Sequence, residues 1–394
     1  MKGENGFLLT EEGNVFAGKL FGYPAPAAGE LEALSHHRAA GEVVFNTGMC
    51  GYHEILTDPS YTGQIVTMTY PLVGNYGCDE AWSETLSSSR QEGYRVKAAG
   101  LVIRSLYTGP VPAGRMTLDT FLKQNHTPGL TEVDTRALTI GIRDNGMPRG
   151  VILKGGTPDA AALTGEERAA GLAFLKAFPE MTGRNLARGQ STGQAELHNQ
   201  DGKPLVALID CGIKDNIRRL LVEAGCAVKV YPMDTPAAQV LGEDPAGILV
   251  SNGPGDPAVL VDLVDNLKLM IGKRPLYGIC LGHQLLALAL GGQTGKMKFG
   301  HHGVNNPVRD ERTGKVYVTS QNHGFEVLES SLPSDVEVWF RNANDGTIEG
   351  IRSDARQLLT AQFHPEAAPG PEDTFWIFRE FLDLVKYTAS KENA

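Results

Sequence analysis

The chain reads as an α/β protein, with a C-terminal domain whose mostly parallel sheet is flanked by helices and an N-terminal domain that is mixed, mostly β. Three observations predict this. From about residue 204, short apolar runs alternate with helical periodicity, as in LVALID, IKDNIRRLLVEAG, CAVKVYP, AGILVSN and RPLYGIC. That alternation implies parallel strands joined by right-handed crossovers. Before about residue 155 the runs are β-formers bounded by Gly, Pro or Asn, and FLLTEEGNVFAGKLFG alternates around a Glu-Gly turn. Between the two, residues 156–203 hold an Ala-rich helical piece, AALTGEERAAGLAFLKAF, and then a polar stretch. The polar part has too little apolar content to bury itself and reads as a linker. The expected organisation is therefore 1–155, 156–203 and 204–390.

Within the first domain, GEVVFNTGMCGYHEIL, QIVTMTYP and AAGLVIRSL read as strands, and TEVDTRALTIGIRDNG as a helix ended by its glycine. In the second, Gly225 closes the helix after LVALID, and Pro257 suits the first turn of PAVLVDLVDNLKLMIG. Beyond Gly300 the pattern turns to short strands, VNNPVRD, KVYVTSQ, EVWFRN, GTIEGIRS and LLTAQFHPE. A final helix, TFWIFREFLDLVKY, carries an apolar stripe suited to packing on the sheet.

Composition narrows the function classes. At 394 residues there is length for two or three cores, and 41% hydrophobic with 21% charged residues is ordinary for a soluble globular protein. The formal net charge is −10 with no dense Lys/Arg block, so nucleic acid is not an expected partner. No apolar run approaches a membrane span, and MKGENGFLLTEEG lacks the regions of a signal peptide. Five scattered cysteines without CxxC spacing fit free thiols in a cytoplasmic setting.

Chemistry concentrates on LYGICLGHQLLALAL. An apolar strand meets Cys280, then Gly282, then a helical pattern, and Gly278 and Gly282 allow a tight turn with the side chain held clear of it. This is the logic of a nucleophile elbow with sulfur in place of oxygen. A thiol at a helix N-terminus lies in the positive end of the dipole, which favours the attacking thiolate. Its proton needs a base, and the base needs an orienting group. Among ten histidines, His364 ends an apolar strand, and Glu366, two residues on, shares its face if the segment is extended. His283 lies on the helix after Cys280, with its ring expected to point away from the sulfur. His301, His302 and His323 could suggest a metal site, but neither Cys nor carboxylate stands at ligand spacing, so no metal is expected.

An oxyanion needs donors, and SNGPGDP after the strand GILV places two glycine amides in a turn. The amide of Leu281 adds a third donor. The same run matches GxGxxA through Gly253, Gly255 and Ala258, but Pro254 and Pro257 remove amides that a pyrophosphate would use. GGQTGKMK is one residue short of a phosphate loop, and Met297 stands where Ser or Thr would hold magnesium. No nucleotide site is expected in this chain.

With GICLGHQ, NGPGDP and HPE on the page, the chain resembles the class I glutamine amidotransferases. KMKFGHHG, QNHGF and HPEAAPGP, with GEVVFNTGMCGYHEILTDPSY and QIVTMTYPLVGN in the first domain, narrow the likeness to the small-subunit family of carbamoyl phosphate synthetase, from about residue 7 to 387. The resemblance implies that Cys280 attacks the side-chain amide of glutamine, that His364 moves the protons and that Glu366 orients it. It places glutamine contacts on Gly48, Gly253, Gly255, Leu281, Gln284, Asn322, Gly324 and Phe325. Position 48 departs from relatives that carry serine there, so contact would fall to backbone groups or water. On residues alone, Phe325 is equally readable as core and Gln284 as solvent-facing. The resemblance also implies a large partner subunit that holds the ATP and magnesium, receives ammonia through a channel and makes carbamoyl phosphate for arginine and pyrimidine synthesis. A higher oligomer of such heterodimers is expected. Another class I amidotransferase, a γ-glutamyl hydrolase and a non-catalytic docking scaffold are the alternatives.

Overall fold

The structure, a computed structural model, describes residues 3–33, 38–86 and 94–392. It divides into two compact units, Met1–Ser83 with Glu92–Met181, and Glu84–Gln91 with Thr182–Ala394. No helix among the described residues is long and apolar enough to cross a membrane.

In the first unit the alternating apolar runs close on themselves. The strands are β1 (Asn5–Thr10), β2 (Val15–Gly22), β3 (Ala40–Asn46), β4 (Gln64–Met68), β5 (Leu72–Val73), β6 (Gly100–Val102), β7 (Ser105–Leu106), β8 (Pro128–Thr131) and β9 (Arg149–Lys154). Seven of them form a closed barrel in the order β1-β2-β8-β6-β4-β3-β9, while β5 and β7 pair with each other. Closure leaves the barrel without an edge strand to protect. The β1–β2 hairpin turns at Gly13, whose φ of 87° lies in the left-handed region. Helices α1 (Tyr52–Thr57), α2 (Leu118–Gln124), α3 (Thr135–Asn145) and α4 (Gly165–Ala177) accompany it. A capping box between Thr164 and Glu167 starts α4, worth about 1 kcal/mol. Gly171 lets α4 close on the barrel, since a Cβ there would sit 2.5 Å from Leu9. The helical part of 156–203 thus packs into the first unit's core through Leu175 and Phe178.

The second unit is built on one ten-stranded sheet. Its strands are β10 (Glu196–His198), β11 (Leu205–Asp210), β12 (Ala227–Pro232), β13 (Gly247–Val250), β14 (Leu276–Ile279), β15 (Thr294–Asp310), β16 (Val316–Val327), β17 (Glu337–Asn342), β18 (Ile348–Ser353) and β19 (Leu358–Ala361). The order is β10-β12-β11-β13-β14-β19-β18-β17-β15-β16. The five strands from β12 to β19 are mutually parallel, and the strands on either side run antiparallel. Helices α5 (Asp215–Glu223), α6 (Ala237–Gly242), α7 (Val261–Met270), α8 (Leu281–Ala289) and α9 (Phe375–Glu392) supply the flanks. One core joins the sheet to α7 and α8 through Ile248, Val250, Leu267 and Leu285. The other joins it to α9, whose Phe378, Phe381 and Val385 pack with Tyr277 and Leu249.

Four stretches differ from the sequence reading. GEVVFNTGMCGYHEIL is a strand only through Asn46, and Tyr52–Thr57 form α1. The polar stretch read as a linker contributes the edge strand β10 and buries Ala187, Ser191 and Thr192. Hydrogen bonds hold it where apolar burial would not: Thr192 N–H donates to Asp210 at 2.7 Å. Of the five short strands expected after Gly300, VNNPVRD and KVYVTSQ belong to a long hairpin of 17 and 12 residues, which takes in the TGKMK segment as well, and the other three are found as β17, β18 and β19. Register shifts between Lys296 and His301 and between Gly303 and Asn306 interrupt its side-chain alternation. Pro257 opens a short 3-10 turn, Pro257–Val259, and α7 starts only at Val261.

Candidate active site

Parallel strands in register deliver their carboxyl ends to one edge of the sheet, where α/β sites form. Ile279 at the end of β14 is paired with Ala361 at the end of β19. Cys280 follows the first directly and His364 lies three residues past the second. The two therefore emerge side by side although 84 positions separate them in sequence.

Cys280 sits at φ 52° and ψ −102°, a strained conformation for a residue with a side chain. Its own N–H donates to Ala361 O at 2.8 Å, which ties the bend to β19. A Cβ at Gly278 would lie 2.6 Å from Gly282 O, and one at Gly282 only 2.2 Å from Val250 O. Both glycines are thus required by backbone contact, and α8 begins directly after the sulfur. The thiol is 1% exposed and lies 3.6 Å from Asn322 O.

Behind the sulfur a charged relay is fully buried. Nδ1 of His364 donates to Glu366 Oε1 at 2.6 Å, which turns Nε2 toward Cys280. The ring is held protonated to about 10: burial opposes this, but the Glu366 charge and the contact with Cys280 outweigh it. Glu366 is held down to about 2, where the charges of Lys214 and His364 overcome its burial. Nζ of Lys214 is 3.1 Å from the carboxylate and also donates to Ala367 O. Asn216 Nδ2 donates to Glu366 O at 2.6 Å. Lys214 precedes α5, in a stretch whose periodicity shows only an amphipathic helix, so no local signal marked it.

The turn after β13 is pinned on both sides. Ser251 Oγ accepts from Cys211 N–H at 2.9 Å, and Asn252 Oδ1 from Lys214 N–H at 2.9 Å. Asp256 accepts from Gly183 and Ala258 N–H groups at 2.8 and 2.9 Å. Gly253 and Gly255 leave no room for a Cβ, which would meet Cys211 O at 2.1 Å and Arg184 O at 2.6 Å. Leu281 N–H is the first amide of α8 and has no acceptor within the helix. Gln284 is buried, its Nε2 donating to Phe325 O at 2.9 Å and Gln362 Oε1 at 3.0 Å. The structure thus rules out a solvent-facing Gln284. Asn322, Gly324 and Phe325 follow one another on β16, and the Phe325 ring is 6% exposed, with Lys296 Nζ 5.0 Å from its centroid. Gly48 lies in the first unit, after β3, where its N–H donates to Asn46 Oδ1 at 2.7 Å.

The remaining histidines separate cleanly. His283 turns away from the sulfur to Thr360 Oγ1, 2.8 Å from its Nδ1, and burial pushes it down to about 3. His302 bonds through Nδ1 to Asn322 Oδ1 at 2.8 Å and is pushed down to about 4 by burial. His301 and His323 come together with a carboxylate that no sequence spacing announced, Glu349 of β18. Nδ1 of His301 is 3.0 Å from Glu349 Oε1 and 3.2 Å from His323 Nε2. Its Nε2 is 2.8 Å from Asp345 Oδ2. Burial pulls His301 down, yet the hydrogen bonds and charges of Asp345 and Glu349 raise it to about 10. Burial keeps His323 well below its ordinary value. No carboxylate stands at ligand spacing from these histidines in the sequence; Glu349 arrives from another strand, through sheet pairing.

Two family descriptions match the chain, "Carbamoyl-phosphate synthase small chain, CPSase domain" over residues 8–152 and "Glutamine amidotransferase class-I" over 207–384. The carbamoyl phosphate synthase small chain of Methanocaldococcus jannaschii is 45% identical, covering 96% of this chain and 98% of its own. That of Clostridium perfringens is 44% identical over 95% and 98%. That of Methanopyrus kandleri is 43% identical over 96% and 98%. The chain belongs to the carbamoyl phosphate synthase small chain family.

Proposed function

We propose that the chain is the glutamine-hydrolysing subunit of a carbamoyl phosphate synthase and feeds ammonia to a large ATP-dependent subunit. The observation that carries this reading is the buried line from Cys280 through His364 to Glu366, at the carboxyl edge of a class I amidotransferase domain. One proton is shared between Sγ and Nε2 of His364, and while it sits on the imidazole the sulfur attacks the glutamine side-chain carbonyl. The oxyanion of the tetrahedral intermediate is stabilised by the amides of Gly253 and Leu281. The raised affinity of His364 for its proton suits it to protonate the departing nitrogen, so that the C–N bond breaks and ammonia leaves behind a γ-glutamyl thioester. Water, deprotonated by His364, then cleaves the thioester to glutamate and restores the thiol.

Glutamine binding falls to Gly253, Gly255, Leu281, Gln284, Asn322, Gly324, Phe325 and the backbone of Gly48. Gln284 contributes by fixing Phe325 O. ATP and magnesium belong to the large subunit, and the holoenzyme is a higher oligomer of heterodimers in the cytoplasm, serving arginine or pyrimidine synthesis. Coupling to the partner keeps free glutamine turnover low until it docks.

The test is synthesis of carbamoyl phosphate by the two-subunit enzyme. Cys280→Ser is expected to abolish the glutamine-dependent rate and the labelled thioester while sparing synthesis from added ammonia. Loss of both rates would show that Cys280 holds the structure together rather than performing the attack. An isolated small chain that hydrolyses glutamine at the complex's rate would dismiss the coupling.

A further inference from the structure

The cluster behind β16 sets acceptors facing one another, and its hydrogen bonds can be followed one by one; an amide donates into it, Asn342 Nδ2, 3.2 Å from Glu349 Oε1 and 3.4 Å from His301 Nδ1. Thr319 Oγ1 lies 2.9 Å from Asn306 O, a carbonyl that only accepts, so the hydroxyl spends its proton there. Thr319 Oγ1 must then accept from Gln321 Nε2, 3.1 Å away. That fixes the amide and leaves Gln321 Oε1 facing His323 Nε2 at 3.1 Å. On the far side of the ring, Nδ1 of His323 is 2.8 Å from Phe325 O, again a carbonyl, so Nδ1 carries the hydrogen and Nε2 a lone pair. Oxygen and nitrogen lone pairs face each other across 3.1 Å. Glu349 Oε1 stands 3.9 Å from the same nitrogen. The second oxygen of Glu349 is buried without a hydrogen-bond partner, in a residue of 0% exposure. His301 donates from Nε2 to Asp345, which turns Nδ1 inward to the same point, where its proton is shared with Glu349 until an ion displaces it.

We propose that Nδ1 of His301, Nε2 of His323 and Oε1 of Glu349 bind a divalent transition-metal ion, zinc by preference, with the amide oxygen of Gln321 beside them. The three donor atoms lie within 4.8 Å of one another, at separations of 3.0, 3.2 and 3.9 Å. Donors about 2.0–2.1 Å from a tetrahedral zinc ion are about 3.3 Å apart. Two imidazoles and a carboxylate form a nitrogen-rich set suited to zinc, whereas calcium or magnesium would call for oxygens alone. Each imidazole also donates its outer nitrogen to an oxygen, Asp345 for His301 and Phe325 O for His323, the outer-shell arrangement that orients metal-bound histidines. Asp345, 40% exposed, stands at the solvent side. The ion joins β15, β16 and β18 at the level of Asn322 to Phe325, so it braces a wall of the active site without touching the reacting atoms.

The test uses the full chain, stripped with a chelator, then titrated with Zn2+ against a chromophoric competitor and with Co2+ by visible absorption. One ion per chain is expected, with the intense bands of four-coordinate cobalt and no thiolate charge-transfer band, which sets the site apart from Cys50 at the surface. Glu349→Gln keeps the side chain's volume and is expected to weaken binding at least about tenfold, as is His301→Gln. Failure of a normally melting wild-type chain to take up one ion would overturn the proposal. So would full affinity in a folded Glu349→Gln chain, the second route if His301→Gln does not fold. Metal uptake is read without glutamine, so either result stands apart from the glutaminase reading.

Discussion

Two buried histidines on one sheet, His364 and His301, are each bound to carboxylates and each raised to about 10. Their surroundings differ in one respect that decides their chemistry. His364 lies beyond the end of β19 and spends only Nδ1 on a carboxylate, leaving Nε2 for the Cys280 sulfur. His301 lies within β15 and meets a carboxylate at each ring nitrogen. A raised proton affinity therefore does not by itself identify a proton carrier. The geometry that does so is one satisfied nitrogen, one nitrogen turned to a reacting group, and a strand end to place it. The sharpest way to break the comparison is to remove each ring. His364→Asn is expected to lower glutamine hydrolysis by about a thousandfold or more while leaving ammonia-dependent synthesis. His301→Asn is expected to lower the melting temperature by about 10 °C through a broken buried pair. It should also raise KM for glutamine more than it lowers kcat, because β16 carries Asn322 to Phe325. Equal losses of kcat in the two variants would erase the distinction.

Glycines sharpen the same contrast between strand end and hairpin. Gly282, in the elbow, lies where a Cβ would sit 2.2 Å from Val250 O, a backbone atom with no freedom to yield. Gly295, in the hairpin, would place a Cβ 3.1 Å from the tip of the Leu328 side chain, which can rotate away. Gly282→Ala is expected to cost more than the 1–3 kcal/mol typical of roughly one added methyl group. By moving the sulfur it should also lower glutamine hydrolysis about a hundredfold. Gly295→Ala is expected to stay within about 1 kcal/mol of the parent, measured by denaturant unfolding. A Gly282→Ala chain with parental rates would mean that the elbow is not set by this contact.

Much of this was legible in the sequence, and the reasons are local. The strand, turn and helix around Cys280 share one continuous stretch, and the Glu366 carboxylate is two residues from His364, although a turn closed by Ala367 N–H on His364 O, not the extended segment expected, brings the two together. Leu276 to Ile279 and Leu358 to Ala361 announce themselves as apolar runs with clear ends, and the parallel core of the sheet follows. What escaped is carried by pairing between distant strands. Glu349 reaches His301 only because β17 lies between β15 and β18 in the sheet. Lys214 reaches Glu366 because the loop after β11 opens on the same edge. The β15–β16 hairpin was hidden for a related reason: its register shifts break the two-residue alternation by which strands are recognised. The polar stretch after Met181 is held by hydrogen bonds, which leave no hydrophobic pattern to read.

The relay also has a signature in stability, and Glu366→Gln isolates it. Glu366 titrates near 2 in the folded chain against about 4.5 when unperturbed. Its stabilising contribution is therefore complete above about pH 4.5 and disappears as the pH falls toward 2. His364 titrates near 10 against about 6.5, so its contribution is complete below about pH 6.5 and disappears as the pH rises through 10. Lys214 leads in lowering Glu366, with His364 next, and the Glu366 charge is the leading cause that raises His364. Glutamine at position 366 keeps a hydrogen-bonding side chain but removes the charge, and with it both slopes. The difference in melting temperature between parent and Glu366→Gln is expected to be largest between about pH 4.5 and 6.5 and to shrink toward either extreme. Other titrating groups, such as Glu84 and Asp345, cancel in that difference because they are common to both chains. Hydrolysis should fall only about tenfold, less than for His364→Asn, because the imidazole remains and loses its orientation rather than its function. Melting curves that run parallel from pH 3 to 10 would mean that the charge on Glu366 does not hold the proton on His364.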